Sequence, residues 1–354
     1  MSCVLGLDIG TTSTIGILVR LPDEVLGITS RPVTLTSRQP GWAEEDPEQW
    51  WSNCCAIIQE LIGAAGISTT EIVGVGVTGM LPAVVLLDEN GAVLRPSIQQ
   101  SDGRVAAEVA ELRSEIEEVE FIAKAGNGIN QQLVATKLRW IERHEPEVFA
   151  KIATVFGSYD YINWKLTGER RIEQNWALEA GFVDIATNEL SPELIALTHL
   201  PLSVVPAKVS SHAVMGTITK SAALSTGLAE GTPVVGGAAD MIASALAAGV
   251  SQEGQVLLKF GGALDILVAT AKAAPDPRMF LDYHLVPGLY MPNGCMSTGG
   301  SGLNWFAENF AGGEKQTAVD AGLSLHQHLD TLAAKIDAGA DGVAIVPYLS
   351  LIHI

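Results

Sequence analysis

The chain opens with an apolar run at residues 4–7, a polar stretch at residues 8–13 and a second apolar run at residues 15–19. Blocks of this length predict two strands that are joined by a tight polar loop. A second pattern of this kind occupies residues 256–268, where two apolar runs flank a glycine-rich turn. Because the same arrangement occurs in two distant parts of the chain, we expect a duplicated architecture with one loop from each half.

The polar loop of the first hairpin carries groups that suit a phosphate and its metal ion. Thr11, Thr12 and Ser13 supply hydroxyl and backbone N–H groups, and Gly10 lets a bulky ligand approach the backbone. Asp8 ends the first predicted strand and offers the hard oxygen ligand that Mg²⁺ prefers. A plain β-hairpin with a polar turn explains these residues equally well, so the motif alone does not decide.

The segments between the two hairpins alternate between helical and extended patterns. Asp46 followed by Pro47 predicts the start of a helix. Trp50, Ile57 and Leu61 then fall on one apolar face of that helix. A mixture of hairpins and helices is typical of an α/β fold with mixed sheets and flanking helices.

Composition narrows the class of protein. The length of 354 residues predicts two domains, because a single hydrophobic core stops growing at roughly 250–300 residues. Hydrophobic residues make up 47 % of the chain and charged residues 17 %, which is typical of an ordered globular protein. The net charge of −19 argues against a nucleic-acid partner, since a phosphate backbone would be repelled. A nucleotide is still an acceptable ligand if Mg²⁺ and backbone amides make the contacts.

The cysteines and the N-terminus predict a cytoplasmic protein. Four cysteines without a CxxC spacing are typical of a reduced compartment. No basic segment precedes the first apolar run, so no signal peptide is predicted. The most apolar window, residues 233–250, contains Asp240 and many small residues, which indicates a buried element rather than a membrane span. The sequence leaves the oligomeric state open, including a homodimer.

Four segments together resemble the FGGY family of carbohydrate kinases, within the sugar kinase, heat-shock chaperone and actin superfamily. They are the opening loop, QQSDGR at residues 99–104, GGAAD at residues 236–240 and PYLS at residues 347–350. The resemblance covers nearly the whole chain and implies duplicated ribonuclease-H-like domains, of the actin-like ATPase type, that clamp a nucleotide between paired hairpins. It implies a sugar-binding domain with the first phosphate loop at residues 1–249 and the start of a nucleotide-binding domain at residues 250–354.

The second domain is expected to be incomplete. About 90 residues follow its phosphate loop, which is short of a usual domain. In relatives the PYLS motif continues into a Gly-Glu-Arg-type segment and later into a glycine-rich adenosine-binding loop, and neither follows here. We therefore expect this chain alone to bind ATP weakly or not at all.

The resemblance implies ATP-dependent phosphorylation of a sugar hydroxyl, first of all that of a pentulose such as xylulose, with ATP and Mg²⁺ as cofactors. It implies that Asp8 holds Mg²⁺ through water. The residues implied to contact the nucleotide phosphates are Gly10, Thr11, Thr12, Ser13, Gly261 and Gly262. Many relatives carry a hydroxyl residue where this chain has Ala263, which weakens the expected contact with the phosphate donor.

Asp240 is the candidate general base. It follows a glycine turn and begins a predicted helix, whose dipole favours the ionised carboxylate that accepts a proton. From the residues alone, a charge that stabilises its own helix is the simpler interpretation. The family pattern of a glycine-rich turn, an aspartate and then small residues such as Ala243 favours the base.

The candidate sugar-binding residues are Met80, Asp102 and Arg104. The resemblance implies that Asp102 accepts hydrogen bonds from sugar hydroxyls and that Arg104 orients or pairs with it; a surface helix cap followed by a solvated arginine is the alternative. Met80 lies in a segment that in many pentulose kinases reads Gln-Met-His, and this chain lacks that histidine. Lys137 lies in a segment similar to the family's signature helix, where we expect a structural, snorkelling lysine.

Other functions stay open at this point. Within the enzymes, glycerol, erythritol, ribulose and sugar acids are alternative substrates. In another class, the weakened second loop and the early end of the chain favour a non-catalytic sugar or nucleotide sensor. An actin-like filament is a remote alternative, since no residue pattern predicts a polymer face.

Overall fold

The computed structural model describes residues 2–261, 263–296 and 298–345. Within them the chain forms two compact units. The first unit runs to Gln255 and includes Val268–Pro292, and the second comprises Val256–Leu267 and the described residues from Asn293 onward. The predicted domain boundary between residues 249 and 250 stays a prediction, because compactness alone defines these units.

The strands run over Cys3–Ile9 (β1), Ser13–Arg20 (β2), Glu24–Pro32 (β3), Glu44–Glu45 (β4), Ile72–Gly79 (β5), Val85–Leu87 (β6), Ser97–Ile98 (β7), Thr154–Phe156 (β8), Arg171–Glu173 (β9), Val183–Asp184 (β10), Glu189–Leu190 (β11), Ala207–Val209 (β12), Val214–Thr217 (β13), Pro233–Val235 (β14), Ala238–Ala239 (β15), Val256–Phe260 (β16), Leu264–Val268 (β17), Phe280–Tyr283 (β18) and Tyr290–Met296 (β19). The helices run over Pro47–Ala65 (α1), Ala106–Glu115 (α2), Glu118–Ala125 (α3), Val134–His144 (α4), Pro146–Phe149 (α5), Ser158–Thr167 (α6), Gln174–Glu179 (α7), Pro192–Ala196 (α8), Lys220–Thr226 (α9), Asp240–Ala247 (α10), Gly300–Phe310 (α11), Gly312–Asp320 (α12) and Leu325–Ala333 (α13). Short 3₁₀ turns occupy Thr69–Glu71, Leu202–Val204 and Ala340–Gly342.

The main sheet of the first unit is mixed, as the sequence predicts. Its strand order is β13-β14-β5-β1-β2-β3, and β15 also pairs with β5. β1 pairs antiparallel with β2, which confirms the opening hairpin. β5 pairs in parallel with β1, β14 and β15. The carboxyl ends of β1, β5 and β15 therefore meet at one edge of the sheet.

Helix α1 covers one face of this sheet. Asp46 accepts a hydrogen bond from the backbone N–H of Glu48, and Pro47 is the first helical residue, so the predicted helix start is confirmed. The helix buries Trp50, Cys54, Ile57, Ile58 and Leu61. Gly16 of β2 allows this packing, because a Cβ atom there would lie 2.2 Å from Cγ2 of Ile57.

The second unit is built from β16, β17 and the later residues of β19, followed by α11–α13. β17 and β19 pair antiparallel, with Leu264 opposite Met296 and Leu267 opposite Asn293. Several of its large apolar side chains are exposed, among them Leu258, Phe260, Leu303, Phe310 and Val319. The extensive buried core of the described residues accordingly lies in the first unit.

Candidate active site

A row of three aligned residues crosses the main sheet near its carboxyl edge. Asp8 of β1 is the register partner of Thr78 of β5, and Thr78 is the partner of Ala238 of β15. Neighbouring strands lie about 4.8 Å apart, so the register fixes how far apart these positions are. Helix α10 begins at Asp240, directly after β15. The fold thus brings Asp8 and Asp240, which are remote in the sequence, to the same edge of one sheet.

Asp8 is oriented by the strand beside it. The hydroxyl of Thr78 donates a hydrogen bond of 2.7 Å to Oδ1 of Asp8. The same hydroxyl lies 3.3 Å from the carbonyl oxygen of Leu7. The Asp8 carboxylate is half-buried and so keeps access to solvent. Thr78 is a residue that the sequence did not single out, because its role depends on a parallel pairing between distant segments.

The loop after β1 is a tight turn, as predicted. The N–H of Gly10 donates to the carbonyl oxygen of Ser13 at 3.1 Å. Thr11 and Ser13 are half-buried and Thr12 is exposed. The Thr11 hydroxyl lies 3.6 Å from the sulfur of Met80, which links this loop to the segment after β5.

A cleft of about 470 Å³ opens beside this edge, entirely within the first unit. Its walls include the polar residues Asp8 and Thr78 and the small or apolar residues Gly237, Ala243 and Leu246. Most of the lining is apolar, with few polar groups at fixed positions. Such a lining is typical of a small-molecule site.

Asp240 begins α10 with a half-buried side chain. Its Oδ1 accepts a hydrogen bond of 2.6 Å from the N–H of Met241, and its carbonyl oxygen accepts one from the hydroxyl of Ser244. Burial raises the pKa of nearby Glu179 well above its usual range, and Asp282 and Asp240 raise it further. Burial beside other carboxylates therefore favours the neutral form of Glu179, which lowers the negative charge around Asp240.

The glycine turn before Asp240 has a demanding geometry. Gly237 has a φ of +93°, and a Cβ atom there would lie 2.2 Å from the carbonyl oxygen of Val77. The side-chain amide of Asn163 donates to the carbonyl oxygen of Gly236 at 2.8 Å. The N–H of Gly237 donates to the carbonyl oxygen of Ser211 at 3.1 Å. These contacts fix the turn from two sides and thereby set where α10 starts.

Asp102 and Arg104 form a buried ion pair. The Asp102 carboxylate is completely buried and accepts hydrogen bonds from Nε and Nη2 of Arg104 and from the backbone N–H groups of Arg104 and Ala43. Nη1 of Arg104 also lies 2.9 Å from Oε1 of Glu44. The Arg104 side chain is 1 % exposed, so the alternative of a solvated arginine beside a surface cap is wrong.

Two indole rings enclose the guanidinium of Arg104. Its Cζ atom lies 3.8 Å from the ring centroid of Trp42 and 4.9 Å from that of Trp140. The two indoles themselves meet edge to face, with centroids 5.3 Å apart. Cation–π attraction adds to the ion pair in such an arrangement, and the planar guanidinium is therefore held in one orientation.

Met80 contacts the first loop and the end of β1. Its side chain is buried, and its N–H donates to the carbonyl oxygen of Ile9 at 3.1 Å. The hydroxyl of Ser158 donates to the Met80 carbonyl oxygen at 2.7 Å. The backbone of Met80 is thus bonded to the end of β1 at Ile9, which directly precedes Gly10 of the polar loop.

The interpretation of Lys137 as a snorkelling lysine is wrong. Its side chain is completely buried, and its ammonium group donates to the carbonyl oxygens of Pro82 and Gln99, each at 3.0 Å. Burial lowers the pKa of Lys137 to about 7, while the carboxylate of Asp102 opposes the decrease. Sequence patterns do not predict this burial, because lysine is almost never fully buried.

The second predicted loop belongs to the second unit and is described in part. The N–H of Gly261 donates to the carbonyl oxygen of Ala263 at 2.9 Å, and its carbonyl oxygen accepts from the N–H of Gly300. Gly262 and the PYLS motif lie outside the described residues. Asp265 pairs with Lys259 at 3.4 Å, so the negative charge near this loop is partly compensated.

The described residues contain neither a cluster of metal-binding side chains nor a membrane-spanning helix. Among residues 2–261, 263–296 and 298–345, no three or more His, Cys, Asp or Glu side chains are grouped closely enough to hold a metal ion. Each helix in that part of the chain also falls short of the length and apolarity that crossing a lipid bilayer requires.

Known proteins resemble this chain over nearly its whole length. The N-terminal domain of the FGGY family of carbohydrate kinases matches residues 3–247. The chain aligns with the xylulose kinase of Escherichia coli over 348 residues at 28 % identity. This alignment covers 98 % of the chain and 69 % of that protein. The chain also aligns with the autoinducer-2 kinase of Klebsiella pneumoniae over 350 residues at 28 % identity. This second alignment covers 97 % of the chain and 65 % of that protein.

A crystal structure gives a stronger match. The xylulose kinase from Rhodospirillum rubrum superimposes with a TM-score of 0.91 at 61 % sequence identity. The match covers 98 % of this chain and 70 % of that one. The predicted α/β fold class, of the ribonuclease-H-like or actin-like ATPase type, is thereby confirmed. The chain spans about two thirds of the length of the relatives that it matches.

Proposed function

Because this chain belongs to the FGGY family of carbohydrate kinases, we propose that it serves the ATP-dependent phosphorylation of a sugar hydroxyl. The first substrate in this proposal is a pentulose such as xylulose. The observation that carries it is the alignment of Asp8, Thr78 and Ala238 across three parallel strands, which brings the Asp8 carboxylate and the start of α10 to one edge of an apolar cleft.

In the proposed reaction Asp240 is the general base. Its carboxylate accepts the proton of the sugar hydroxyl, and the hydroxyl oxygen forms a bond to the γ-phosphorus of ATP. The bond from that phosphorus to the bridging oxygen breaks, and ADP leaves with the electron pair. Asp240 then releases its proton to solvent. The helix dipole at the start of α10 favours the ionised carboxylate that this role requires.

Asp8 is proposed to hold Mg²⁺ through water. Mg²⁺ typically takes one or two protein carboxylates and completes its shell with phosphate oxygens and water. The half-buried Asp8, oriented by Thr78, suits this mode better than a metal cage of several side chains. When bound, the ion would neutralise charge on the phosphates. Gly10, Thr11, Thr12, Ser13, Gly261 and Gly262 stay the proposed contacts of those phosphates.

Met80, Asp102 and Arg104 are proposed to belong to the sugar-binding group. The expected role of Asp102 as an acceptor of sugar hydroxyls is replaced by a positioning role, because its buried carboxylate is already fully bonded. The saturated carboxylate of Asp102 supports a role in holding Arg104 and the backbone at Ala43 in place. The buried Met80 supports an apolar contact where many pentulose kinases place a histidine nearby. A cytoplasmic location and a homodimer remain proposals; the free state of Cys3, Cys54, Cys55 and Cys295 supports the former.

The test is a substrate panel. Calorimetric titration of the protein with pentuloses, hexuloses, glycerol, erythritol and sugar acids measures binding, and coupled ADP release with the same panel measures turnover. We expect xylulose to bind most tightly and to give the highest kcat/KM. Tighter binding of another compound would reassign the substrate within the family, and binding without any ADP release would favour the sensor.

A further inference from the structure

Lys137 occupies an unusual position for a charged side chain. It lies inside α4, where every residue from Val134 to Ile141 is buried. Its Nζ atom lies 3.0 Å from the carbonyl oxygen of Pro82 and 3.0 Å from that of Gln99. One ammonium group thus bonds two backbone carbonyls that are distant in the sequence.

The two carbonyls belong to the two segments that carry the proposed sugar-binding residues. Pro82 follows Met80 by two residues, and Gln99 precedes Asp102 by three. Gln99 is joined to Asp102 directly, because the Asp102 N–H donates to the Gln99 carbonyl oxygen at 3.2 Å. The same two segments are also joined directly by a β-bridge, in which the N–H of Val84 donates to the carbonyl oxygen of Ile98 at 3.0 Å. In the sequence, the carbonyls bonded by Lys137 lie between this bridge and the residues Met80 and Asp102.

The other anchors of the two segments lie on different elements. Ser158 and the indole N–H of Trp176 hold the first segment at the carbonyl oxygens of Met80 and Ala83. The second segment is held at Ala43, whose carbonyl oxygen accepts from the Gln99 N–H. Each set of bonds fixes its own segment to the scaffold. The bonds from Lys137 relate the segments to each other on the Met80 and Asp102 side of the Val84–Ile98 bridge.

Stability alone does not explain a lysine at this position. Removing an ammonium group from water is costly, and the two hydrogen bonds of Lys137 at best offset that cost, so the lysine adds little net stability. The lowered pKa of Lys137 reflects this cost of burial. A methionine of similar length would fill the same volume without the penalty. The lysine is therefore better explained by the geometry that it imposes than by the stability that it adds.

We propose that Lys137 is a positioning residue that fixes the separation of the Met80 and Asp102 segments, and thereby the width of the sugar-binding group. This inference rests on the proposed function, because it assigns the two segments to one ligand. Lys137 itself is completely buried and does not contact the sugar.

The test compares Lys137→Met and Lys137→Gln in the 354-residue chain, with Lys165→Met as a matched control. Lys165 lies in α6 and pairs with Glu48 near the surface, so its replacement removes an ammonium group away from the two segments. Calorimetry with xylulose measures affinity. Hydrogen–deuterium exchange without sugar measures opening of residues 80–83 and 99–103, and thermal melting measures stability.

We expect Lys137→Met to bind xylulose about tenfold more weakly, which corresponds to about 1.4 kcal/mol, while its melting temperature stays unchanged or rises. Exchange is expected to accelerate in the two segments and to stay unchanged in β1 and β2. Lys137→Gln keeps N–H donors and is expected to recover part of the affinity. Lys165→Met is expected to match the wild type in affinity.

Several outcomes would overturn the proposal. Affinity within twofold of the wild type in Lys137→Met would do so, as would unchanged exchange in both segments. Uniformly faster exchange together with a lower melting temperature would assign Lys137 to general stability instead. If Lys137→Met does not fold, the same measurements on Lys137→Gln decide. A wild-type chain that binds no sugar of the panel refutes the proposed function, while the sugar-free exchange still tests the connection.

Discussion

Arg104 donates two side-chain hydrogen bonds to the buried carboxylate of Asp102, from Nε to Oδ1 at 2.8 Å and from Nη2 to Oδ2 at 2.7 Å. The same guanidinium lies against Trp42 and Trp140. A planar, forked cation is required for both contacts at once, and an ammonium group cannot reproduce them. This pair therefore offers a direct test of how rigid the Asp102 segment is.

We predict that Arg104→Lys lowers the free energy of unfolding by about 2–4 kcal/mol, because a buried carboxylate loses its matched partner. Urea denaturation measures the change. Arg278→Lys is the matched control, since Arg278 makes the same two side-chain bonds and one backbone bond to Asp276 at an exposed position. An exposed pair contributes little. Equal losses in the two variants would contradict the assigned importance of burial.

The turn before Asp240 gives a second prediction. Gly237→Ala is expected to destabilise the chain by at least about 2 kcal/mol, because it adds a steric clash with Val77 to the strain of a positive φ. Gly231→Ala isolates the strain, since Gly231 has a φ of +86° and no atom within 4 Å of the added Cβ. Denaturation of both variants gives the difference. If Gly237→Ala is no worse than Gly231→Ala, the close contact with β5 is not rigid.

The buried carboxyl group of Glu45 is expected to make the stability of the protein depend on pH. Burial raises the pKa of Glu45 to about 7, although the hydrogen bond from Trp50 opposes the increase. Because the folded state holds this proton up to a higher pH than the unfolded state does, stability from this group falls as pH rises from 4.5 to 7. Oε1 of Glu45 has no hydrogen-bond partner in the described residues, so an amide fits there without losing a described bond.

Glu45→Gln is therefore expected to gain stability over the wild type as pH rises, by about 1–3 kcal/mol between acidic and mildly alkaline solution. Urea midpoints of both proteins, measured from pH 5 to pH 8, check the prediction. Parallel curves over that range would show that another group controls the pH dependence.

Asp240→Asn tests the chemistry. We predict that coupled ADP release falls about 10²–10⁴-fold, with little change in xylulose affinity. Asp23→Asn, at an exposed position, is the control and is expected to behave as the wild type. Unchanged turnover in Asp240→Asn would exclude the base, and loss of a regulatory interaction in the same variant would favour a sensor.

Local features were predictable because neighbouring residues determine them. The opening hairpin, the start of α1 at Pro47 and its buried face follow from short patterns of apolar and capping residues. The position of Asp240 at the start of α10 follows from the glycine turn before it. In each case the responsible residues lie within a few positions of one another.

Long-range features were not predictable in this way. The hydroxyl of Thr78 reaches Asp8 only because β5 pairs with β1 in one particular register. The burial of Lys137 depends on carbonyl groups supplied by two other segments. No local pattern encodes such contacts, and the usual preference of lysine for solvent pointed to the opposite conclusion.

The register of β1, β5 and β15 also limits how this protein can be re-engineered. A slip of one residue would turn every side chain of a strand to the opposite face, so Asp8 would leave the cleft together with its partner. Insertions in these strands therefore cannot change the distance between Asp8 and Asp240 in small steps. Directed changes in substrate preference must come from the segments that flank the sheet, where backbone spacing is free to vary.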